Sequence, residues 1–252
     1  MPSTELIVSA KEDIPTKPVD GKPTYVYWNI LGLAQSARLA LIAANVDFVD
    51  VRIDADVTKD GWIAAKHTEE MQKTLVFPNL PYFLHPDLGD RGLAQSDSIL
   101  RYIGTKYGMA GENPALTDMY LEHLHDAETT IARHSYMGTP EQLLHWYKTT
   151  VPGYLKPFGK LLQSSSQPDQ KYLSGRSDPS VADFKLYVFL YKLTVIQAQL
   201  GDEMTKNIIE ADAAWIKPYM ERMEVIPAIK TYMASASYMK GFLNNPSATW
   251  RG

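Results

Sequence analysis

The sequence predicts an α/β domain followed by an all-α domain. Short segments rich in aromatic and β-branched residues alternate with helix-forming runs as far as Tyr107. Beyond residue 115, every segment has the periodicity of a helix. A length of 252 residues fits two domains of ordinary size, and a hydrophobic share of 45% is typical of globular proteins.

The predicted order of elements in the first domain, residues 24–108, is βαβαββα. An aromatic and β-branched strand ends just before Gly32, and a helix-forming run begins directly after it. Gly108 has the position of a C-terminal cap on the last helix. The predicted strands are Thr24–Ile30, Asp47–Ile53, Tyr82–His85 and Gly92–Gln95, and the predicted helices are Leu33–Ala44, Trp62–His67 and a run from Ser96 or Asp97 to Tyr107.

Three further regions complete the predicted organisation. Residues 1–23 contain four prolines and no apolar periodicity, so we expect an N-terminal extension that is flexible or lies along the surface. Met109–Ala115 is the best candidate for a linker. The helical domain then covers residues 116–252, where Ser180 and Asp183 have the spacing of a capping box, with aspartate in place of the usual glutamate.

The composition excludes several classes of chemistry. The chain has no cysteine, which rules out disulfides, thiolate metal sites and cysteine nucleophiles, so any thiol chemistry needs a thiol from another molecule. A net charge of −4 and the lack of a long apolar run argue against nucleic-acid and membrane partners, and we expect a cytoplasmic protein. The six histidines form no metal-binding motif, so no metal is predicted.

The clearest candidate for chemistry is Tyr27, near the end of the first predicted strand. The following turn leads into a helix, whose N-terminal N–H groups favour anions. A tyrosine hydroxyl in this position can donate a hydrogen bond to an anionic sulfur or oxygen. Tyr25 lies on the same face of the strand, but Tyr27 is closer to the helix, so Tyr25 is predicted to serve in packing.

Three other motifs each allow a structural and a functional interpretation. Pro81 either starts a strand in the trans form or follows a cis bond that exposes the Leu80 backbone to a peptide-like ligand. Gln95 and Ser96 either cap a helix or bind a carboxylate at its N-terminus. Trp62 and Lys66, one helical turn apart, either clamp a second carboxylate or form an ordinary surface pair.

Taken together, four motifs resemble the cytosolic glutathione transferases, most closely the mu class and next the sigma class. The resemblance covers about residues 24–252. It implies a thioredoxin-like domain followed by a helical domain, with glutathione as co-substrate and no metal. The matching segments are Tyr27–Ala34 (YWNILGLA), Phe77–Tyr82 (FPNLPY), Gln95–Tyr102 (QSDSILRY) and Ser180–Phe184 (SVADF).

The resemblance also implies roles for individual residues. Tyr27 matches the tyrosine that donates to the glutathione sulfur and favours its thiolate, which attacks small hydrophobic electrophiles. Leu33 and Tyr136 match residues of the electrophile pocket. The residues that would bind glutathione are Trp28, Leu33, Trp62, Lys66, Asn79, Leu80, Pro81, Gln95, Ser96 and Asp126, the last one through the neighbouring subunit.

A homodimer is a further implication of the resemblance. Phe77 matches an aromatic side chain that inserts into the partner's helical domain, and Arg101 an arginine that stacks on its symmetry mate. Leu31 departs from the pattern, since mu enzymes carry arginine there, and residues 1–23 have no counterpart. Two alternatives remain open: a glutathione-dependent isomerase of the sigma, prostaglandin synthase type, and a non-catalytic ligand-binding protein of this fold.

Overall fold

The chain divides into two units in the computed structural model, which describes residues 4–54, 61–164, 171–200, 213–238, 244 and 248. The first unit lies within Met1–Tyr102 and Ala228–Pro246, and the second within Ile103–Pro227 and Ser247–Gly252. An α/β unit and a helical unit confirm the predicted fold class. The predicted boundaries, with a helical domain over 116–252, stay a prediction; the described residues among 228–246 group with the first unit.

The first unit contains a five-stranded sheet with the order β1-β3-β2-β4-β5. The strands are β1 Thr4–Val8, β2 Thr24–Trp28, β3 Val49–Ile53, β4 Tyr82–Leu84 and β5 Gly92–Ala94. β1 and β2 run parallel to β3 on its two sides, whereas β4 is antiparallel to both β2 and β5. The helices in the first half of the chain are α1 Gln35–Ala43, α2 Trp62–Ala65, α3 Glu69–Thr74 and α4 Ser96–Lys106.

The strand β1 lies in the N-terminal extension, which the sequence predicted to be flexible or to lie along the surface. Thr4–Val8 pairs residue by residue with Val49–Ile53 at the edge of the sheet, so this segment forms a strand that the sequence did not predict. Pairing with β3 gives the backbone of this short segment hydrogen-bond partners that an arm would have to find in water. Its side chains gave little signal, because β1 contains no buried residue and Ile7 is 61% exposed.

A buried cluster of charges connects α1 to the sheet. Arg38 of α1 is fully buried, and its Nε lies 3.0 Å from both carboxylate oxygens of Asp50 on β3. Arg52, two residues further on the same face, donates from Nε to Asp50 Oδ2 at 2.7 Å. Its Nη2 reaches Glu5 of β1 at 3.1 Å and the carbonyl of Ser237 at 3.0 Å. The cluster therefore ties α1, two strands and the C-terminal part of this unit together.

The second unit is built around the helix Val181–Leu200, which is buried on most of its surface. Asp183, in the first turn of that helix, accepts hydrogen bonds from the backbone N–H groups of Leu173, Ser174 and Ser180. Burial raises the pKa of the Asp183 carboxyl, while these bonds act in the opposite direction. The helices that follow α4 are α5 Pro114–Met137, α6 Pro140–Thr149, α7 Val151–Ser164, α8 Val181–Leu200, α9 Ala213–Glu224 and α10 Pro227–Met233, the last of which crosses the boundary between the units.

Within the described part of the chain, none of these helices is both long enough and apolar enough to span a membrane. The same residues contain no group of three or more histidine, aspartate or glutamate side chains placed to hold a metal ion.

Candidate active site

The strand register brings three predicted site segments to one end of the sheet. Val26 pairs with Tyr82, and Tyr82 pairs in turn with Ala94. The next position along β2 is Tyr27, the residue before β4 is Pro81, and the residue after β5 is Gln95. Because β4 runs antiparallel to its two neighbours, these three positions lie at the same end of the sheet. The predicted phenol, proline and helix N-terminus are therefore neighbours across the sheet.

The phenol of Tyr27 is held by the backbone of the loop that follows β2. The side chain is 6% exposed, and the N–H of Leu33 donates to its Oη at 3.2 Å. Gly32 has a φ of +40°, and a Cβ at this position would lie 2.6 Å from Tyr27 Oη. Glycine is thus required here, both for its backbone conformation and for the close approach of the loop to the phenol.

The hydrogen bond from Leu33 has a chemical consequence for Tyr27. It uses a lone pair of the phenol oxygen and not its hydrogen. Donation to this oxygen withdraws electron density from the O–H, which strengthens the hydroxyl as a donor to an anion. Leu33 itself is exposed, and Trp28 is half-buried.

Arg38 of α1 donates hydrogen bonds to the end of β2 and to the loop that follows it. Its Nη1 donates to the carbonyl of Ile30 at 2.8 Å, and its Nη2 lies 3.5 Å from the carbonyl of Trp28. Burial lowers the pKa of Arg38, but Asp50 acts in the opposite direction and the net shift is upward. A permanently charged guanidinium therefore fixes two carbonyls of the segment that carries Tyr27.

Tyr25 is a core residue, as the sequence predicted. It is fully buried, and its ring meets the ring of Phe83 edge-on with centroids 6.2 Å apart. Its Oη has no hydrogen-bond partner among the described residues. Burial raises the pKa of this phenol well above its usual value, so it is neutral at any ordinary pH.

The bond between Leu80 and Pro81 is cis, the form that the resemblance implied and that the residues alone left open. Both Leu80 and Pro81 are buried. The Leu80 N–H donates to Oδ1 of Asn79 at 3.0 Å, which gives Asn79 a role in orienting this backbone.

Gln95 and Ser96 lie where β5 meets α4. Gln95 has a φ of +74°, which is uncommon for a residue other than glycine, and its side chain is exposed. Its carbonyl accepts the N–H of Ile99 at 3.0 Å, so Gln95 has the position of the helix cap. Asp97 is buried in the first turn, whereas Ser96 is half-buried.

Trp62 and Lys66 are one turn apart, as predicted, since the Lys66 N–H donates to the Trp62 carbonyl at 2.9 Å. Trp62 is only 4% exposed, because its indole stacks on the ring of Tyr82 with centroids 5.8 Å apart and an interplanar angle of 26°. Lys66 is half-buried at the end of α2. The indole therefore packs on the strand that begins directly after the cis bond.

The remaining predicted residues lie outside the segments described so far. Phe77 of the first unit is 71% exposed, and Arg101 on α4 is half-buried. In the second unit, Asp126 and Tyr136 lie on α5, the first exposed and the second half-buried.

Sequence reasoning missed Arg38, Asp50 and Arg52, which support the site from inside the fold. A signal for them exists, because Arg38 interrupts an apolar helix and two charges alternate with Val49, Val51 and Ile53 along one strand. Opposite charges on the two elements that pack together favour a buried pair.

Comparison with known proteins agrees with this geometry. A family model described as "Glutathione S-transferase, N-terminal domain" matches residues 23–105, and one described as "Glutathione S-transferase, C-terminal domain" matches residues 125–236. A glutathione S-transferase of Tyrophagus putrescentiae is 31% identical over 93% of this chain and 99% of its own length. Glutathione S-transferase Mu 3 of Homo sapiens is 29% identical over 89% and 93% of the two chains.

Among solved structures, a Pi-class glutathione S-transferase of Onchocerca volvulus superposes with a TM-score of 0.63 at 26% identity, covering 84% of this chain and 91% of that one. Family models that together match well over half of the chain, and relatives that align over nearly their whole length, agree on one assignment. The chain belongs to the glutathione S-transferase family.

Proposed function

We propose that the chain conjugates glutathione to small hydrophobic electrophiles and that Tyr27 donates a hydrogen bond to the glutathione thiolate. The observation that carries this proposal is the hydrogen bond from the Leu33 N–H to Tyr27 Oη, in a loop that only Gly32 allows so close to the phenol. A donor aimed at a thiolate favours the charged form and lowers the pKa of the thiol. Tyr27 then acts as a neutral donor and not as a base.

The neighbouring segments suit an extended tripeptide. The backbone of Leu80, before the cis bond to Pro81, would pair with the cysteinyl residue, exchanging its bond to Asn79 for bonds to the substrate. Gln95 and Ser96 would bind the γ-glutamyl carboxylate, because the N–H groups at the start of α4 favour an anion. Trp62, Lys66 and Asn79 would face the glycyl end, where Lys66 supplies a positive charge.

Three bonds change in the simplest reaction of this class: the S–H bond and the carbon–chlorine bond break, and a sulfur–carbon bond forms. The thiol proton leaves to solvent, and the thiolate sulfur forms a bond to the ring carbon of a chloronitrobenzene. The carbon–chlorine bond then breaks, and chloride leaves with its electron pair. Leu33 and Tyr136 remain our predictions for the electrophile pocket, and Asp126 for a contact with the glutathione of a partner subunit.

Conjugation of glutathione to a chloronitrobenzene tests the proposal. We expect the adduct to form with saturation in both substrates, and glutathione to be consumed in equal amount. A folded protein that binds glutathione but forms no adduct would contradict the proposed catalysis. A reaction that rearranges its substrate and returns the glutathione unchanged would point to the isomerase alternative.

We also propose a cytoplasmic homodimer in which Phe77 enters the partner. An apolar side chain this exposed loses contact with water on association, and buried aromatic anchors contribute strongly at interfaces. We expect Phe77→Ser to weaken the dimer by about 2 kcal/mol or more, roughly 30-fold in its dissociation constant. Sedimentation velocity over a range of concentrations measures this change.

Val225→Ser is the matched control for Phe77→Ser. Val225 is 66% exposed and is not one of the residues that we assign to the interface, so its loss should leave the dimer unchanged. A Phe77→Ser variant that keeps the dissociation constant of the wild type would contradict the assignment of Phe77 to the interface.

A further inference from the structure

The N-terminal extension is bonded to the part of the first unit that carries Trp62 and Lys66. We call residues 4–17 the N-terminal brace. Its first part is β1, which pairs with β3 and places Glu5 beside Arg52. The Val8 carbonyl also accepts the N–H of Asp54 at 2.9 Å, which fixes the chain just beyond the end of β3. The family match begins only at residue 23, so the brace lies outside it.

The second part of the brace contacts the short helices α2 and α3. Tyr82 Oη donates to the Pro15 carbonyl at 2.6 Å, and Thr16 Oγ1 donates to Oε1 of Glu70 at 2.7 Å. The hydroxyl of Thr74 on α3 donates to the Thr16 carbonyl at 3.2 Å. A cavity of about 430 Å³ remains between this part of the brace and the two helices. Ile14 in this part of the brace is buried, so these hydrogen bonds and apolar packing attach it together.

These bonds lead directly to the predicted glycyl end of the site. The ring of Tyr82 stacks on Trp62 on one side of the sheet, while its hydroxyl is anchored to the brace. The helices α2 and α3 have four and six residues, and helices this short depend on tertiary contacts for their position. A bond that fixes Tyr82 therefore also fixes the indole that rests on it.

We propose that the N-terminal brace positions Trp62 and Lys66 to bind the glycyl carboxylate of glutathione, with Pro15, Thr16 and Tyr82 as its positioning residues. This inference rests on the proposed function. The bonds of Pro15 and Thr16 lead to Tyr82 and α3, so we expect the brace to affect the affinity for one end of glutathione and not the acidity of its thiol.

Tyr82→Phe tests the inference, because it removes the hydroxyl bonded to Pro15 and keeps the ring that stacks on Trp62. We expect the KM and Kd for glutathione to rise about 3- to 10-fold, the loss typical of one hydrogen bond. The kcat at saturating glutathione and the pKa of the bound thiol should stay as in the wild type. Thr16→Val, at a half-exposed position where folding is not at risk, should change affinity in the same direction.

Two comparisons separate positioning from general damage. Tyr25→Phe removes another buried phenol hydroxyl from the same sheet, and it should leave glutathione affinity unchanged. γ-Glutamylcysteine lacks the glycyl residue, so Tyr82→Phe should bind it as tightly as the wild type does. Calorimetry measures all of these affinities without turnover.

The outcomes distinguish the two proposals. Wild type that fails to bind glutathione would overturn the proposed function. Wild type that binds it, with Tyr82→Phe and Thr16→Val binding equally well, would overturn the role of the brace alone. An equal loss of affinity for glutathione and γ-glutamylcysteine would also overturn it, because the effect would then not come from the glycyl end.

Discussion

Replacing Tyr27 with phenylalanine is expected to lower the rate of conjugation at saturating glutathione by about 8- to 25-fold at a pH of about 7. A hydrogen bond to a charged group contributes about 1.5–3 kcal/mol, and one pKa unit corresponds to about 1.36 kcal/mol. Loss of the hydroxyl should therefore raise the pKa of the bound thiol by about 1–2 units and reduce the thiolate fraction accordingly. Steady-state kinetics at several pH values measure the change.

The loss of activity expected in Tyr27→Phe depends on pH. Below the pKa of the thiol, the rate falls with the thiolate fraction, so Tyr27→Phe should lose most activity at low pH and recover toward wild type as the pH rises. Tyr25→Phe, on the same face of β2 but without a bonded hydroxyl, should keep the wild-type profile. A larger loss in Tyr25→Phe than in Tyr27→Phe would reverse the assignment of the two phenols.

Replacing Asp50 with asparagine should cause the largest loss of stability. Asp50 lies between Arg38 and Arg52, and all three side chains are buried. Removing its charge leaves Arg38 fully buried without a carboxylate, and breaking a buried pair in this way costs about 3–5 kcal/mol. Urea denaturation followed by circular dichroism measures the free energy of unfolding. Activity should fall as well, because Arg38 holds the loop of Tyr27.

Asp47→Asn provides the matched control for Asp50→Asn. Asp47 pairs with Lys22 at 3.0 Å, but its side chain is mostly exposed. An exposed ion pair contributes about 0–1 kcal/mol, so this variant should remain close to the wild type. Equal losses of stability in the two variants would show that the buried cluster has no special role.

Local periodicity accounts for most of the fold that could be predicted. The strands β2, β3 and β4 carry aromatic or β-branched side chains that are buried, and the pattern of burial is visible in the sequence. β1 is different, because it is an edge strand whose residues are partly exposed, so its pairing leaves no such pattern. The grouping of the described residues among 228–246 with the first unit depends on contacts distant in sequence, which no local pattern encodes.

A site residue can be predicted from the sequence when its neighbours along the chain determine its surroundings. Tyr27 is next to the turn marked by Gly32, and that distinction from Tyr25 can be read from the sequence. The orientation of Trp62 depends on Tyr82, and that of the Tyr27 loop on Arg38, through contacts between separate elements. The charges of Arg38 and Asp50 are visible in the sequence, but their pairing follows only once α1 is known to pack on β3.

Titration of the thiol in the bound complex tests the central claim most directly. Ultraviolet absorbance of the thiolate, recorded against pH with glutathione at saturation, gives the pKa for the wild type, Tyr27→Phe and Tyr25→Phe. We expect the wild type and Tyr25→Phe to titrate about 1–2 units below the ordinary thiol value of about 8.5, and Tyr27→Phe to return close to that value. A Tyr27→Phe complex that binds glutathione and titrates like the wild type would contradict the role assigned to this phenol.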